Sequence, residues 1–252
     1  MNSIISNLNK NDTIASLKMN LHHPSSLGLH IVVEGTSDII FLSSLLDNIF
    51  IYESHSGKEG VFEILEIVYS TKVIGICDRD FDLRTNSRIF YYDGISLETM
   101  MIMNDEAFNK VLNQFFVYEE EKKNFKQEVF SCATPISILR KKSYENEWHI
   151  KFDVIKPSHY IKNKKCDINS LMEKCSLVNS NFDFSCLNIE EIQPETYPIE
   201  LLHGHDLVSI IAFLIKNKPK TIEQMLRIAY TKEHFFSTHI YKSISDYEIS
   251  QK

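Results

Sequence analysis

Short apolar runs alternate with amphipathic stretches over the first hundred residues. Leu27–Val33 (LGLHIVV), Ile49–Glu53, Val73–Cys77 and Arg88–Tyr92 are each of strand length and rich in branched or aromatic side chains. Between them, Ile39, Ile40, Leu42, Leu45, Leu46 and Ile49 recur at helical spacing and predict a helix over Asp38–Asn48. Val61, Phe62, Ile64, Leu65, Ile67 and Val68 predict a second helix after Ser56, and Leu97, Met100, Met101 and Met103 a third behind a Ser96 cap. The methionines read as core filler. The order over Leu27–Met103 is therefore β-α-β-α-β-β-α, which predicts an α/β domain with a mainly parallel sheet covered by helices.

The second half is less regular. Asn104–Phe130 reads as a charged helix, with EEEKK at Glu119–Lys123 as a solvated stretch, and Glu128–Leu139 and Trp148–Ile155 read as strands or extended segments. Cys166–Ile192 reads as irregular. Asp206 is placed to cap a helix over Leu207–Lys216, and Thr221 and Gln224 to form the capping box of a helix over Ile222–Tyr230, before a short helical or frayed tail. Met1–Ser26 reads as an arm or short helix followed by a loop. These features predict three segments: an N-terminal arm (1–26), an α/β domain (27–118) and a C-terminal, mostly helical α+β appendage (119–252).

The chemistry sits where strands end. Val73–Cys77 runs directly into Asp78, Asp80 and Asp82 at alternate positions (KVIGICDRDFD). A buried parallel strand opening into an acidic loop puts oxygen donors at the C-terminal edge of a sheet, where α/β proteins place ligands. Carboxylates this close raise one another's pKa unless a positive charge stands among them, and a hard divalent cation such as Mg²⁺ or Mn²⁺ is the simplest remedy. The first strand ends likewise in Glu34-Gly35-Thr36-Ser37-Asp38. Glu34 is either an acid set against a helix macrodipole or a ligand of the same cation. The second strand leads to Ser56-Gly57-Lys58-Glu59, a capping-box pattern in which Lys58 either reaches a phosphate or is solvated. Glu98, in the first turn of the third helix, is either a supporting residue or a ligand of a second metal, or an ordinary first-turn acid favoured by the helix dipole.

Other signals narrow the classes. The acidic loop is not an EF-hand, because Leu83 replaces the glycine at position six and Ile89 the glutamate at position twelve. There is no Walker A motif and no Rossmann fingerprint. Five scattered cysteines without a C-x-x-C pair fit reduced thiols in the cytoplasm better than a disulfide framework or zinc site. No apolar run approaches the roughly 18 residues of a membrane span, and the N-terminus lacks a secretory pattern. A formal net charge of −7 argues against a generally basic nucleic-acid binder, leaving local basic patches. Arg140-Lys141-Lys142 and Lys162, Lys164 and Lys165, near Trp148 and Tyr160, are either such a phosphate track or exposed lysine loops. His203 and His205 flank a glycine and suggest either a metal or substrate role, or a helix cap with a hydrogen bond between segments.

The stretches VVEGTSDIIFL and GICDRDFD, a glutamate-glycine turn after one strand and aspartate-x-aspartate after a later one, resemble the TOPRIM domain of topoisomerases, primases and OLD-type nucleases. Asp38, DRDFD, Asp93–Glu98 and Gly204-His205-Asp206 look closer to the AriB-type effectors of the PARIS anti-phage system. The resemblance covers about Leu27–Met103. It implies a TOPRIM-like fold and a Mg²⁺- or Mn²⁺-dependent endonuclease, a toxin that cleaves host tRNA after release from an AAA/ABC-type ATPase partner resembling AriA. By motif, Glu34 matches the catalytic glutamate and Asp78 and Asp80 the metal-binding pair, with Asp38, Asp82 and Glu98 matching less closely; Lys58 joins Glu34, Asp38 and Asp82 as a catalytic candidate. A DNA nuclease or nickase and a non-enzymatic partner-binding subunit are the rival expectations, and a homodimer is compatible with the sheet.

Overall fold

The computed structural model describes residues 2–23, 28–47, 49–82, 84–178, 187–192, 194 and 196–251. Leu27 of the expected first strand, Asn48 at the expected end of the first helix, Leu83 and Cys186 lie outside them. Two compact units are present: Met1–Leu97 with Thr231–Lys252, and Glu98–Tyr230. The first is thus assembled from both ends of the chain.

In the first unit, α1 (Asn2–Leu21) precedes β1 (His30–Val33), α2 (Thr36–Leu45), β2 (Phe50–Glu53), α3 (Gly57–Ile67), β3 (Val73–Cys77) and β4 (Ile89–Tyr91). The strands form one all-parallel sheet in the order β2-β1-β3-β4, with Val33 opposite Ile76 and Cys77 opposite Tyr91. Every residue of β1 and β3 is buried, whereas β2 and β4 are partly exposed edges. This is the α/β architecture that the alternation of apolar runs predicts. α3 lies so close to β3 that a Cβ on Gly75 would stand 2.6 Å from Val61 Cγ1 and 3.0 Å from Leu65 Cδ1. Val61, Ile64, Leu65, Val73 and Cys77 form a core with Ile14 and Leu17 of α1. The N-terminal segment is therefore a 20-residue helix joined to the core, not a short arm.

The tail is also ordered. α11 (Lys232–Phe236) and α12 (His239–Ser250) pack on this unit. Phe235 meets Phe41 edge-on at 6.0 Å, and the Asp93 carboxylate accepts from the N–H groups of His239 and Ile240, capping α12.

The second unit contains α5 (Asp105–Leu112), α6 (Glu119–Glu145), a two-stranded hairpin of β5 (Ile161–Lys162) and β6 (Lys165–Cys166), α7 (Ile168–Val178), α8 (Ile189–Ile192), α9 (Gly204–Leu214) and α10 (Pro219–Ala229). α4 (Leu97–Met103) spans the boundary. Several sequence expectations are corrected here. Glu128–Leu139 is the middle of the 27-residue α6, not a strand. Its buried positions Phe125, Val129, Cys132, Ile136 and Leu139 are spaced four and three apart, which is one helical face. Trp148–Ile155 is irregular with one 3-10 turn, and α7 occupies part of the stretch read as irregular. Asp206 lies inside the first turn of α9 and His203 is the N-cap residue; α10 starts at Pro219, a residue preorganised for a first helical position, so Thr221 caps nothing. The hairpin turn has Asn163 and Lys164 at φ 49° and 62°, as a two-residue turn of that hand demands.

Among the described residues, Cys77, Cys132, Cys166 and Cys175 are free thiols, and no helix is long and apolar enough to cross a membrane.

Candidate active site

Strand order 2-1-3-4 puts the topological switch point between β1 and β3. From β1 the chain moves to one side and then returns to the other, so the connections after these two strands diverge and leave a crevice at their C-terminal ends. Glu34 follows β1 and Asp78 follows β3. The Asp78 N–H donates to Glu34 Oε1 at 2.8 Å, so the two turns meet at this crevice.

The acidic loop is fixed at each carboxylate. Asp78 Oδ1 accepts from the Leu97 N–H at 2.8 Å. The Asp80 N–H donates to the Ile95 carbonyl at 2.8 Å, and Asp80 is in the left-handed region at φ 48°, which aspartate tolerates better than most residues and which is common at functional loops. Lys58 Nζ donates to Asp80 Oδ2 at 2.8 Å and to the Arg79 carbonyl at 3.1 Å. Lys58 is therefore neither solvated nor reaching outward; it is the internal counter-charge of the loop. The capping box expected around it is absent: Ser56 makes no side-chain cap, Gly57 has φ 58°, and Glu59 instead holds Arg84 through both oxygens at 2.6 and 2.9 Å.

The remaining candidates have local partners. Asp82 accepts from the Arg84 N–H at 2.9 Å and from its Nε at 2.7 Å. Asp38 is buried; it accepts from the Gly35 N–H at 3.1 Å, with Gly35 as N-cap, and from the Tyr92 hydroxyl at 2.9 Å. Glu98 belongs to the helical unit, where it is buried and its Oε2 has no hydrogen-bond partner among the described residues. The sequence reading thus missed Arg84 and Tyr92. Arg84 was visible as the first cation after DRDFD, but Tyr92 had no local signal.

The charges sort the carboxylates. Burial pushes Glu34 up to about 7, with Asp80 and Asp38 acting in the same direction and the Asp78 N–H and Lys58 opposing. Burial also opposes ionisation of Asp82, but Arg84 outweighs it and holds the group below its ordinary value. For Lys58, burial works against the charge, yet Asp80, Glu34 and Asp82 prevail and hold the ammonium above its ordinary value. Among the described residues, no group of three or more His, Cys, Asp or Glu side chains is arranged to hold a metal ion. The donor chemistry of the rim nevertheless fits a hard divalent cation. Glu34, Asp78 and Asp80 are oxygen donors from two adjoining turns, and burial, with Asp80 and Asp38 beside it, disfavours Glu34 as an anion.

No protein-family model matches the chain, and no curated protein matches it.

Proposed function

We propose that the sheet unit is a metal-dependent phosphodiesterase site of the TOPRIM kind, with Glu34, Asp78 and Asp80 holding Mg²⁺ or Mn²⁺. The observation that supports this is the meeting of Glu34 and the Asp78 turn at the switch point of a parallel sheet. A cation there supplies charge for the phosphate oxygens and lowers the pKa of a bound water. The chain's own groups do the rest. Glu34, half-buried and disfavoured as an anion by that burial, would be the carboxylate whose charge the cation stabilises. Lys58 holds the Asp80 carboxylate in place as its counter-charge. Arg84 and Tyr92 keep Asp82 and Asp38 in place. The motif resemblance carries the finer proposal, an endoribonuclease effector of anti-phage defence that cuts tRNA once freed from an ATPase partner.

One observation favours a second reading. Lys58 already neutralises Asp80, as a regulatory subunit with a self-sufficient acidic loop would require. The two are separated by incubating wild-type, Glu34→Ala and Asp78→Ala chains with total RNA and with plasmid, with and without EDTA. The nuclease reading expects each variant, confirmed folded by circular dichroism, to lose cleavage by ~10³-fold, about 4 kcal/mol of transition-state stabilisation. Cleavage of plasmid alone would redirect the substrate to DNA. Undiminished cleavage in both variants, or in EDTA, overturns the metal assignment, and no cleavage by the wild type supports the regulatory subunit.

A further inference from the structure

We propose that the helical unit carries a separate binding site for a nucleotide, a base together with its phosphate, in the cavity walled by α6, the 152–160 segment, α9 and the start of α10. The cavity measures about 830 Å³, well above what a mononucleotide fills and within the range of small-molecule sites. All its lining residues belong to this unit.

Its chemistry is two-sided. One part of the lining is apolar: Phe213 is 38% exposed, and Phe152, Ile155, Pro157 and Pro219 join it. The imidazoles of His203 and His205 add two more flat surfaces, their centroids 5.7 Å apart. Bases stack on such rings with little regard to sequence. The other part is polar. Arg140 lies over the Phe152 ring at 4.6 Å and gives Nε and Nη2 to Asp206 at 2.7 and 3.0 Å, so Nη1 remains for a ligand. Lys156 is exposed at the rim. The N-terminus of α9 opens here, and its N-cap residue His203 supplies no side-chain cap. A phosphate is what a guanidinium nitrogen, an ammonium and a helix N-terminus together select. Asp153, Ser158 and Ser209 supply acceptors and hydroxyls for base amino groups and the ribose.

Of the basic clusters singled out in the sequence, only Arg140 lines this cavity. Lys142 pairs with Glu191, Lys162 with Asp167 and Lys164 with Glu128, and Tyr160 is only 1% exposed, too deep to stack a base. The nucleotide site involves no metal and none of the acidic-rim residues, so it stands or falls apart from the cleavage proposal.

The same chemistry is offered by a free nucleoside monophosphate and by an unpaired nucleotide of an RNA strand. Calorimetric titration of the full chain with AMP, UMP, the matching nucleosides, inorganic phosphate and a single-stranded RNA octamer separates them. Phe213→Ala, exposed and outside the Arg140–Asp206 pair, is expected to weaken nucleotide binding by about ten- to a hundredfold. Lys156→Ala is expected to weaken phosphate-bearing ligands about three- to fivefold and leave nucleosides unchanged. Binding of the monophosphates assigns a free nucleotide; binding of the octamer alone, with the same sensitivities, assigns an RNA strand. The proposal is overturned if neither binds. It is equally overturned if inorganic phosphate binds as tightly as AMP, or if both variants bind like wild type while melting normally.

Discussion

Two acids, one in each unit, sit close to the start of a helix and meet opposite fates. Asp206, in the first turn of α9, gives both oxygens to Arg140, whose guanidinium is itself stacked on Phe152. Glu34, at the end of β1, has one backbone N–H on Oε1, the distant help of Lys58, and two carboxylates acting against it. In the first arrangement the carboxylate is satisfied by a bidentate guanidinium within the fold, and the pair ties α6 to α9. The second is a carboxylate whose charge burial and two neighbouring carboxylates disfavour, at the C-terminal rim of the sheet. A buried acid with a bidentate arginine is a structural device. A half-buried acid whose environment raises its pKa is a candidate for chemistry.

The largest effect expected from this contrast is on stability of the helical unit. Asp206→Ala strands Arg140, whose side chain is 18% exposed, without its partner. Removing one member of such a pair costs about 3 kcal/mol. Urea unfolding should show that loss, and hydrogen exchange should show α6 and α9 opening first. The double variant Arg140→Leu/Asp206→Ala should recover most of it, because an apolar replacement removes the stranded charge. A single-variant cost below about 1 kcal/mol would place the pair among surface bridges and break the comparison.

A smaller effect tests how the acidic rim is held. Gly75→Ala drives a methyl group to within 2.6 Å of Val61 and 3.0 Å of Leu65, so α3 must yield. Overpacking of this kind costs about 1–3 kcal/mol. Because α3 also carries Lys58, the variant should disturb the rim as well, and Gly75→Ala/Val61→Ala should restore both. Unchanged unfolding in the single variant would show that the helix–strand contact has slack.

The same contrast explains what the sequence disclosed. Strand identity, the parallel sheet and the acidic loop were legible because each rests on neighbouring residues: an apolar run of five, then carboxylates at alternate positions. α6 was mistaken for strands because ATPISIL is short, apolar and carries Pro135, a residue costly inside a helix. The four-and-three spacing from Phe125 to Leu139 held the correct answer once read over a longer window. Asp206 was legible as belonging to a helix start, but its partner lies 66 residues earlier, and no local pattern announces such a pair. Asp38 likewise finds Tyr92 across 54 residues. Lys58 was seen as a candidate, but its actual role, as counter-charge to Asp80, depends on the fold bringing α3 beside the loop after β3.

The finest test concerns the charge state of Glu34. Its folded-state pKa of about 7 lies above the ordinary 4.5, so the fold favours the protonated form. The stability that this preference contributes is complete below about pH 4.5 and is lost as the pH rises through about 7. Glu34→Gln carries no charge at any pH. It should match the wild type at pH 4 and exceed it at pH 8 by about 1–2 kcal/mol, the full shift being discounted for solvent screening at a half-open rim. Thermal melts at the two pH values measure the gap. If Mg²⁺ is held by Glu34, Asp78 and Asp80, adding it at pH 8 should raise the melting temperature of the wild type and not of the variant, narrowing the difference. A gap that persists unchanged with Mg²⁺ would mean that Lys58 and Arg84 are all the positive charge this rim is built to use. A wild type more stable than Glu34→Gln at pH 8 would mean that the carboxylate is satisfied as it stands, and that the two units treat their acids alike.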